Sequence, residues 1–404
     1  MLYRTHVRHA LEEKRKDFVS FERSLRGEVG ELASRLRALA GRTAAEVRKE
    51  SGAGADKVTY PSDELERACG AGVRFGESWH SHEEARRWAL GVLRGRVTFA
   101  ADGSQVFPGR EASVPVAAVQ VASFENPHTP EGRYLKDVHF EVITPDQLLG
   151  GGRAYESPEQ VVGLRRFELE ASAICEFLES HKNWRARGER VPVAFFDNAL
   201  LVASRHKDTE ILFSKRYADA LSELILLSRE TQVPVVGYVD HSYAHDLRGL
   251  LEALHRDLPE TSAYDAQILR AVADDAPPLL GAWGDRTIFW HCQRSNLAAS
   301  FFDEHGAPLV GFVYLQTTSD GHPARLDTPA WVHEAGLLEE VVDAVRAECV
   351  VGNGYPYAIE TADEAAVMTA RDREHFLRAM QDFAAQHSLD FRISRKAASK
   401  GRRR

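Results

Sequence analysis

VPVAFFDNAL (residues 191–200) is an unbroken apolar run closed by Asp197 and Asn198. Apolar side chains at every position, instead of every second one, mark a strand buried on both faces of a sheet. VPVVGYV (233–239) repeats both the pattern and the Val-Pro-Val opening. The helical spacing of Phe213–Arg229 between them predicts a parallel β-α-β unit. Further back, Ser157–Lys182 places Leu164, Phe167, Ala171, Ile174, Cys175 and Leu178 on one helical face. Before it lie Val97–Ala101, Ser113–Phe124 and the alternating DVHFEVIT of 137–144, three strands of an antiparallel meander. The element order is β-β-β-α-β-α-β, an α/β fold with a mixed sheet.

The flanks read differently. Residues 7–40 have the spacing of one long amphipathic helix, with Phe18, Phe21, Leu25, Val29, Leu32, Leu36 and Leu39 recurring every three or four residues. After a loose segment at 51–63, helix resumes near Asp63 and over His82–Leu93, where Ser81 and Glu84 have capping-box spacing. The expected organisation is an N-terminal helical region at 1–94 and an α/β domain at 95–390. That domain carries an insertion at about 243–332, and a basic tail follows at 391–404. Within and after the insertion, strands are expected at Asp285–Cys292, Ala307–Gln316 and Ala324–Val332. Helices are expected over most of 243–275, at Glu334–Val350 and at Thr361–His387. The Pro/Gly-rich 274–285 reads as a loop.

Composition bounds the class. Hydrophobic residues make up 44% and charged residues 27% of 404, which fits a globular chain and excludes a disordered one. No apolar run approaches the roughly 20 residues of a membrane span. The opening MLYRTHVRHALEEKRK has no apolar core of a secretion signal, so a cytoplasmic, membrane-free protein is expected. Cys69, Cys175, Cys292 and Cys349 are far apart, against a disulfide framework or a cysteine zinc site. The last fourteen residues hold seven Lys and Arg and no acid, so the remainder sums to −16 where the whole is −9. An acidic body with a basic tail suits a protein that meets phosphate through local patches.

Carboxylates carry the chemistry. Asp102 is read as ending the first strand, with Gly103 permitting a tight turn after it. Asp197 ends the first buried strand. Ligands of open α/β sheets sit at the carboxyl ends of strands, so the two aspartates would face one crevice. Glu168 and Glu170 flank the apolar stripe of the intervening helix, and Asp363 lies at a late helix. Hard oxygen ligands on neighbouring elements bind Mg²⁺ or Mn²⁺, and a pair of such ions promotes phosphodiester hydrolysis. Element order and acid placement together are the layout of ribonuclease H-like nucleases.

AADGSQ (100–105), LRRFELEA (164–171), AFFDNALL (194–201), VVGYVDHS (235–242), GYPYAIETAD (354–363) and RISRK (392–396) resemble, in order and spacing, the blocks of the NurA nucleases. The resemblance spans about 95–396. It implies a metal-dependent nuclease with a ribonuclease H-like core, using Mn²⁺ or Mg²⁺ with two ions per site. It implies 5′→3′ exonuclease activity on single- and double-stranded DNA and single-strand endonuclease activity. It implies a homodimer that works with a hexameric HerA ATPase in DNA end resection and double-strand-break repair. Asp102 and Asp197 match the family's metal aspartates, Glu170 (or Glu168) its helix glutamate, and Tyr355 the tyrosine of its GYP segment. The family pattern has histidine eight residues after that tyrosine, where this chain has Asp363. Aspartate is a hard ligand, so metal binding is expected to survive. A catalytically weak adaptor that stimulates the ATPase, or a nuclease on RNA or branched DNA, are the alternatives.

Arg165, Arg166, His241, Arg392, Arg395 and Lys396 are expected to hold the phosphate backbone. His241 and His245 have the i, i+4 spacing of two ligands on a helix, but no HExxH glutamate accompanies them. Trp290, His291, Arg294, Phe301 and Phe302 suggest a stacking surface for single strands, with core packing as the alternative. There is no GxxxxGK[ST] phosphate loop, so ATP-driven movement would come from a partner.

Overall fold

The computed structural model describes residues 3–393 apart from 53–57, 111, 150–156, 202–211, 259–260, 274 and 295. The chain divides into two compact units, residues 79–237 with 331–404, and residues 1–78 with 238–330.

In the first unit the meander forms as the pattern predicts. Strands β1 (Thr98–Val106), β2 (Ala117–Asn126) and β3 (Leu135–Ile143) pair antiparallel. Helix α1 (Pro158–His181) starts from a capping box in which Ser157 accepts from the Gln160 N–H. It leads to β4 (Val193–Phe196), α2 (Leu212–Thr231) and β5 (Val235–Val239). β4 lies parallel to β1 on one side and to β5 on the other, giving the strand order β5-β4-β1-β2-β3. A three-stranded meander extended by two parallel strands in this order is the ribonuclease H-like core. Val193, Ala194, Phe195 and Phe196 are all buried, as an all-apolar central strand requires. β3 is the edge strand and is exposed over most of its length.

Helices α3 (Leu338–Val351), α4 (Tyr357–Ala366) and α5 (Ala370–Gln386) complete this unit. The single helix expected over 361–387 is two, separated at 367–369. The helix His82–Leu93, grouped by sequence with the N-terminal region, belongs here: Ala89 and Leu93 pack on Ala347 of α3.

The faces of β1 set the geometry of the site. Phe99 stacks on Phe177 of α1 at 4.6 Å, and a Cβ on Gly103 would meet Arg166 and Glu170 of α1. Odd-numbered residues therefore face α1. On the even face, Thr98 bonds Glu348 of α3 and Ser104 accepts from the Met368 N–H just after α4. Alternation along a strand assigns Asp102 to this second face.

The other unit is smaller in sheet and richer in buried charge. Short strands at 60–61, 72–73, 286–287, 290–291, 310–315 and 324–329 pair antiparallel. The long N-terminal helix breaks at Lys14 into Arg4–Glu13 and Arg15–Arg37. Only its later part is seated: Val29, Leu32 and Leu36 are buried, whereas Phe18 and Phe21 are exposed. Asp246 is buried between Arg294 and Arg325, each at 2.6 Å, and Arg325 also holds Asp327 at 2.7 Å. Burial works against the Asp246 charge, but the two guanidiniums hold its carboxyl well below the usual range. Among the described residues no helix is long and apolar enough to cross a membrane.

Phe195→Ala should cost about 3–5 kcal/mol in chemical denaturation, the range for emptying a packed aromatic site. Val138→Ala on the exposed edge strand should stay within about 0.5 kcal/mol. Equal effects would mean that the buried face has been assigned to the wrong strand.

Candidate active site

β1 and β4 run parallel with Ala101 paired to Phe196. The next residues, Asp102 and Asp197, are thus neighbours. Asp197 ends its strand as expected, but Asp102 does not: β1 continues to Val106. Gly103 is accordingly no turn residue. A Cβ there would lie 2.6 Å from both Arg166 Cγ and Glu170 Oε1, closer than side-chain atoms approach. The missing side chain at Gly103 leaves room for an acid on α1 to come down onto the strand beside Asp102.

That acid is Glu170. It is buried, and its Oε1 has no hydrogen-bond partner, although Arg166 Nε stands 3.3 Å away in an ion pair. Glu168 points elsewhere, accepting from Arg216 Nε at 2.8 Å with Arg165 at 3.6 Å. Of the two glutamates flanking the helix stripe, the geometry places only Glu170 against Gly103. Asp363, on α4, lies beside Asp102 and acts on its charge. Tyr355 Oη donates to Asp197 Oδ1 at 2.6 Å.

The electrostatics join these groups. Burial, then the Asp363 carboxylate as acceptor for the protonated Asp102 and the charges of Asp197 and Asp363, push Asp102 up to about 6, against the pull of the Gly103 amide. Burial first, then Asp102 and Asp197, push Glu170 up to about 8, with Arg166 and Gly103 opposing. As placed, no group of three or more His, Cys, Asp or Glu among the described residues is arranged to hold a metal ion. The donor set nevertheless fits a hard divalent cation. It is all oxygen, Glu170 Oε1 is buried without a hydrogen bond, and mutual repulsion raises two members.

The expected phosphate contacts divide. Arg166 lies in the site, with Nη1 donating to the Gly103 carbonyl at 3.2 Å. Arg165 is held by both oxygens of Glu141, at 2.8 and 2.7 Å. Arg392 is exposed and bonds Asp390, while Arg395 and Lys396 lie outside the described residues. His241 is paired with Asp240 at 2.7 Å. The helix begins only at Asp246, so His241 and His245 do not share a helical face. The stacking surface suggested around Trp290 is core: Trp290 and Phe301 are buried and Arg294 is bound to Asp246. A groove of about 430 Å³ between α1 and the sheet, lined by Phe99, Glu125, His139 and Phe177, contains none of Asp102, Glu170, Asp197 and Asp363.

The NurA domain model matches residues 96–368. The chain belongs to the NurA family. Comparison with curated proteins gives no match. Among solved structures, a crystal structure of NurA with manganese matches at 10% identity and TM-score 0.40, over 74% of this chain and 95% of that one. A second NurA crystal structure matches at 9% and 0.41, over 74% and 94%. The catalytic domain of human endonuclease V matches at 15% and 0.30, over 74% and 96%. At such distances these likenesses carry no residue assignments in this NurA chain, whose fold rests on its own strand order.

Both carboxyl shifts are upward, so between about pH 4 and 8 the folded chain holds protons that the unfolded chain has released. Metal-free stability should therefore fall as pH rises through about 6 for Asp102 and about 8 for Glu170. Differential scanning calorimetry in EDTA should show Tm dropping over this interval. Glu170→Gln should flatten the drop and raise Tm at its alkaline end. A Tm that climbs with pH, unchanged in the variant, contradicts this electrostatic reading.

Proposed function

We propose that this chain is a metal-dependent DNA nuclease acting as a 5′→3′ exonuclease on single- and double-stranded DNA and as a single-strand endonuclease. The reading is supported by acids from four elements that act on one another electrostatically: Asp102 on β1, Glu170 on α1 against Gly103, Asp197 after β4 and Asp363 on α4. Membership of the NurA family supports the same class of chemistry.

These four carboxylates would hold two Mn²⁺ or Mg²⁺ ions, which when bound supply Lewis-acid activation of water and of the scissile phosphate. The protein's own groups do the rest. Tyr355 fixes the orientation of Asp197 through its hydroxyl. Arg166 offers a guanidinium beside the acids to a phosphate oxygen. Arg165, engaged by Glu141, steadies α1 and contacts DNA only at the margin of the site. His241, Arg392, Arg395 and Lys396 extend the phosphate-binding surface, the last two from the basic tail. Direction of digestion, the homodimer, the HerA-type ATPase partner and a role in end resection and break repair are supported by family membership alone.

The test is cleavage of 5′-labelled single- and double-stranded DNA by the purified protein with Mn²⁺, Mg²⁺ or EDTA. Cutting should require metal and should be lost in Asp102→Ala and Glu170→Gln while Glu168→Gln keeps most of it. Cleavage that survives EDTA or Asp102→Ala would overturn the site. No cleavage under any metal, with stimulation of a HerA-type ATPase, would favour the adaptor.

A further inference from the structure

One buried acid has no part in this chemistry. Glu348, on α3, is 1% exposed. Its Oε1 accepts from Thr98 Oγ1 at 2.8 Å, and its Oε2 from the Ala358 backbone N–H at 2.9 Å. Ala358 is in the first turn of α4, where the N-cap residue, Pro356, provides no side-chain cap. Glu348 thus caps a helix to which it does not belong, supplying an acceptor to an amide that would otherwise be an orphan donor.

The other end of α4 is held as well. Gln120 Nε2 donates to the Ala366 carbonyl and the Met368 N–H to Ser104 Oγ, both at 3.0 Å. Thr98 and Ser104 lie on the same face of β1 and bracket Asp102. The turn between α3 and α4 has little freedom, since a Cβ on Gly352 would fall 2.1 Å from the Tyr355 carbonyl oxygen.

We propose that Glu348 is a positioning residue that ties the start of α4 to β1, so that Asp363 meets Asp102 and Tyr355 meets Asp197. A carboxyl suits this task because each oxygen serves a donor on a different element, at bond lengths one atom could not span. Its retention is costly: burial pushes Glu348 up to about 7, against the bonds from Thr98 and Ala358. Removing the acid would leave the Ala358 N–H and the Thr98 hydroxyl without their acceptor, so a loss of Tm alone does not separate a structural role from a positioning one. The role in metal holding rests on the carboxylate site proposed above; the tie between helix and strand does not.

The experiment compares wild type, Glu348→Ala and Glu348→Gln by Mn²⁺ titration calorimetry and by hydrogen exchange of the 357–366 amides, at a temperature where all are folded. Glu348→Ala should speed exchange in α4 and weaken Mn²⁺ binding by about tenfold or more, the scale seen when support of a metal ligand is removed. Glu348→Gln should recover most of both, since its oxygen can face Ala358 N–H while its amide donates to Thr98 Oγ1. If Glu348→Ala does not fold, Thr98→Val removes one of the two bonds and should show the same effects at smaller size. Lower Tm with unchanged Mn²⁺ affinity and unchanged exchange in α4 would reduce Glu348 to a structural residue and overturn the proposal. Failure of wild type to bind Mn²⁺ would instead strike at the metal site, and the exchange pattern would still decide the tie.

Discussion

Carboxylates repel one another, and this fold spends stability to gather them. Asp102 and Glu170 are both driven toward the neutral form by burial and by their acidic neighbours. Arg166 compensates only in part: it stands beside Glu170, whose Oε1 still lacks a hydrogen bond. A cluster of this kind is stable in its charged form only with more positive charge than the chain supplies. A divalent cation would provide that charge, and its affinity would come from the repulsion it relieves.

The rest of the α/β unit is arranged to hold the acids against that repulsion. The two faces of β1 are committed to different helices, α1 through Phe99 and α4 through Ser104. Glu170 and Asp363 therefore approach from opposite sides, and the bare backbone at Gly103 lets the first lie close against the strand. The central position of β1, between β2 and β4, makes it the least deformable place for such a junction. Substitution by any larger residue at Gly103 would push α1 away from the sheet.

Much of this was legible in the sequence, for physical reasons that can be named. Strands buried on both faces must be apolar throughout, so β4 and β5 were plain, and the end of β4 identified Asp197. Asp102 was recognisable as an acid but misplaced. A glycine after an aspartate looks like a turn, and nothing local reveals that its missing side chain is needed by a helix some 60 residues on (Gly103 and Arg166 are separated by 63). Glu168 and Glu170 both flank the same stripe, and only distant partners separate them, Arg216 for the first and Gly103 for the second. Bonds between remote residues left no pattern at all: Arg325 and Asp246 are 79 apart, Thr98 and Glu348 250. The N-terminal helix shows the converse error, since its periodic apolar residues continue past the part that is seated.

The central claim is that four acids, from four elements, form one cation site. Diffraction from crystals soaked in Mn²⁺, recorded at the manganese absorption edge, locates the ions directly. The account predicts anomalous density within coordination distance of Asp102, Glu170, Asp197 and Asp363, with Glu170 turned from Arg166 toward the ion. Density elsewhere, or none at this junction in crystals that bind Mn²⁺, would contradict it.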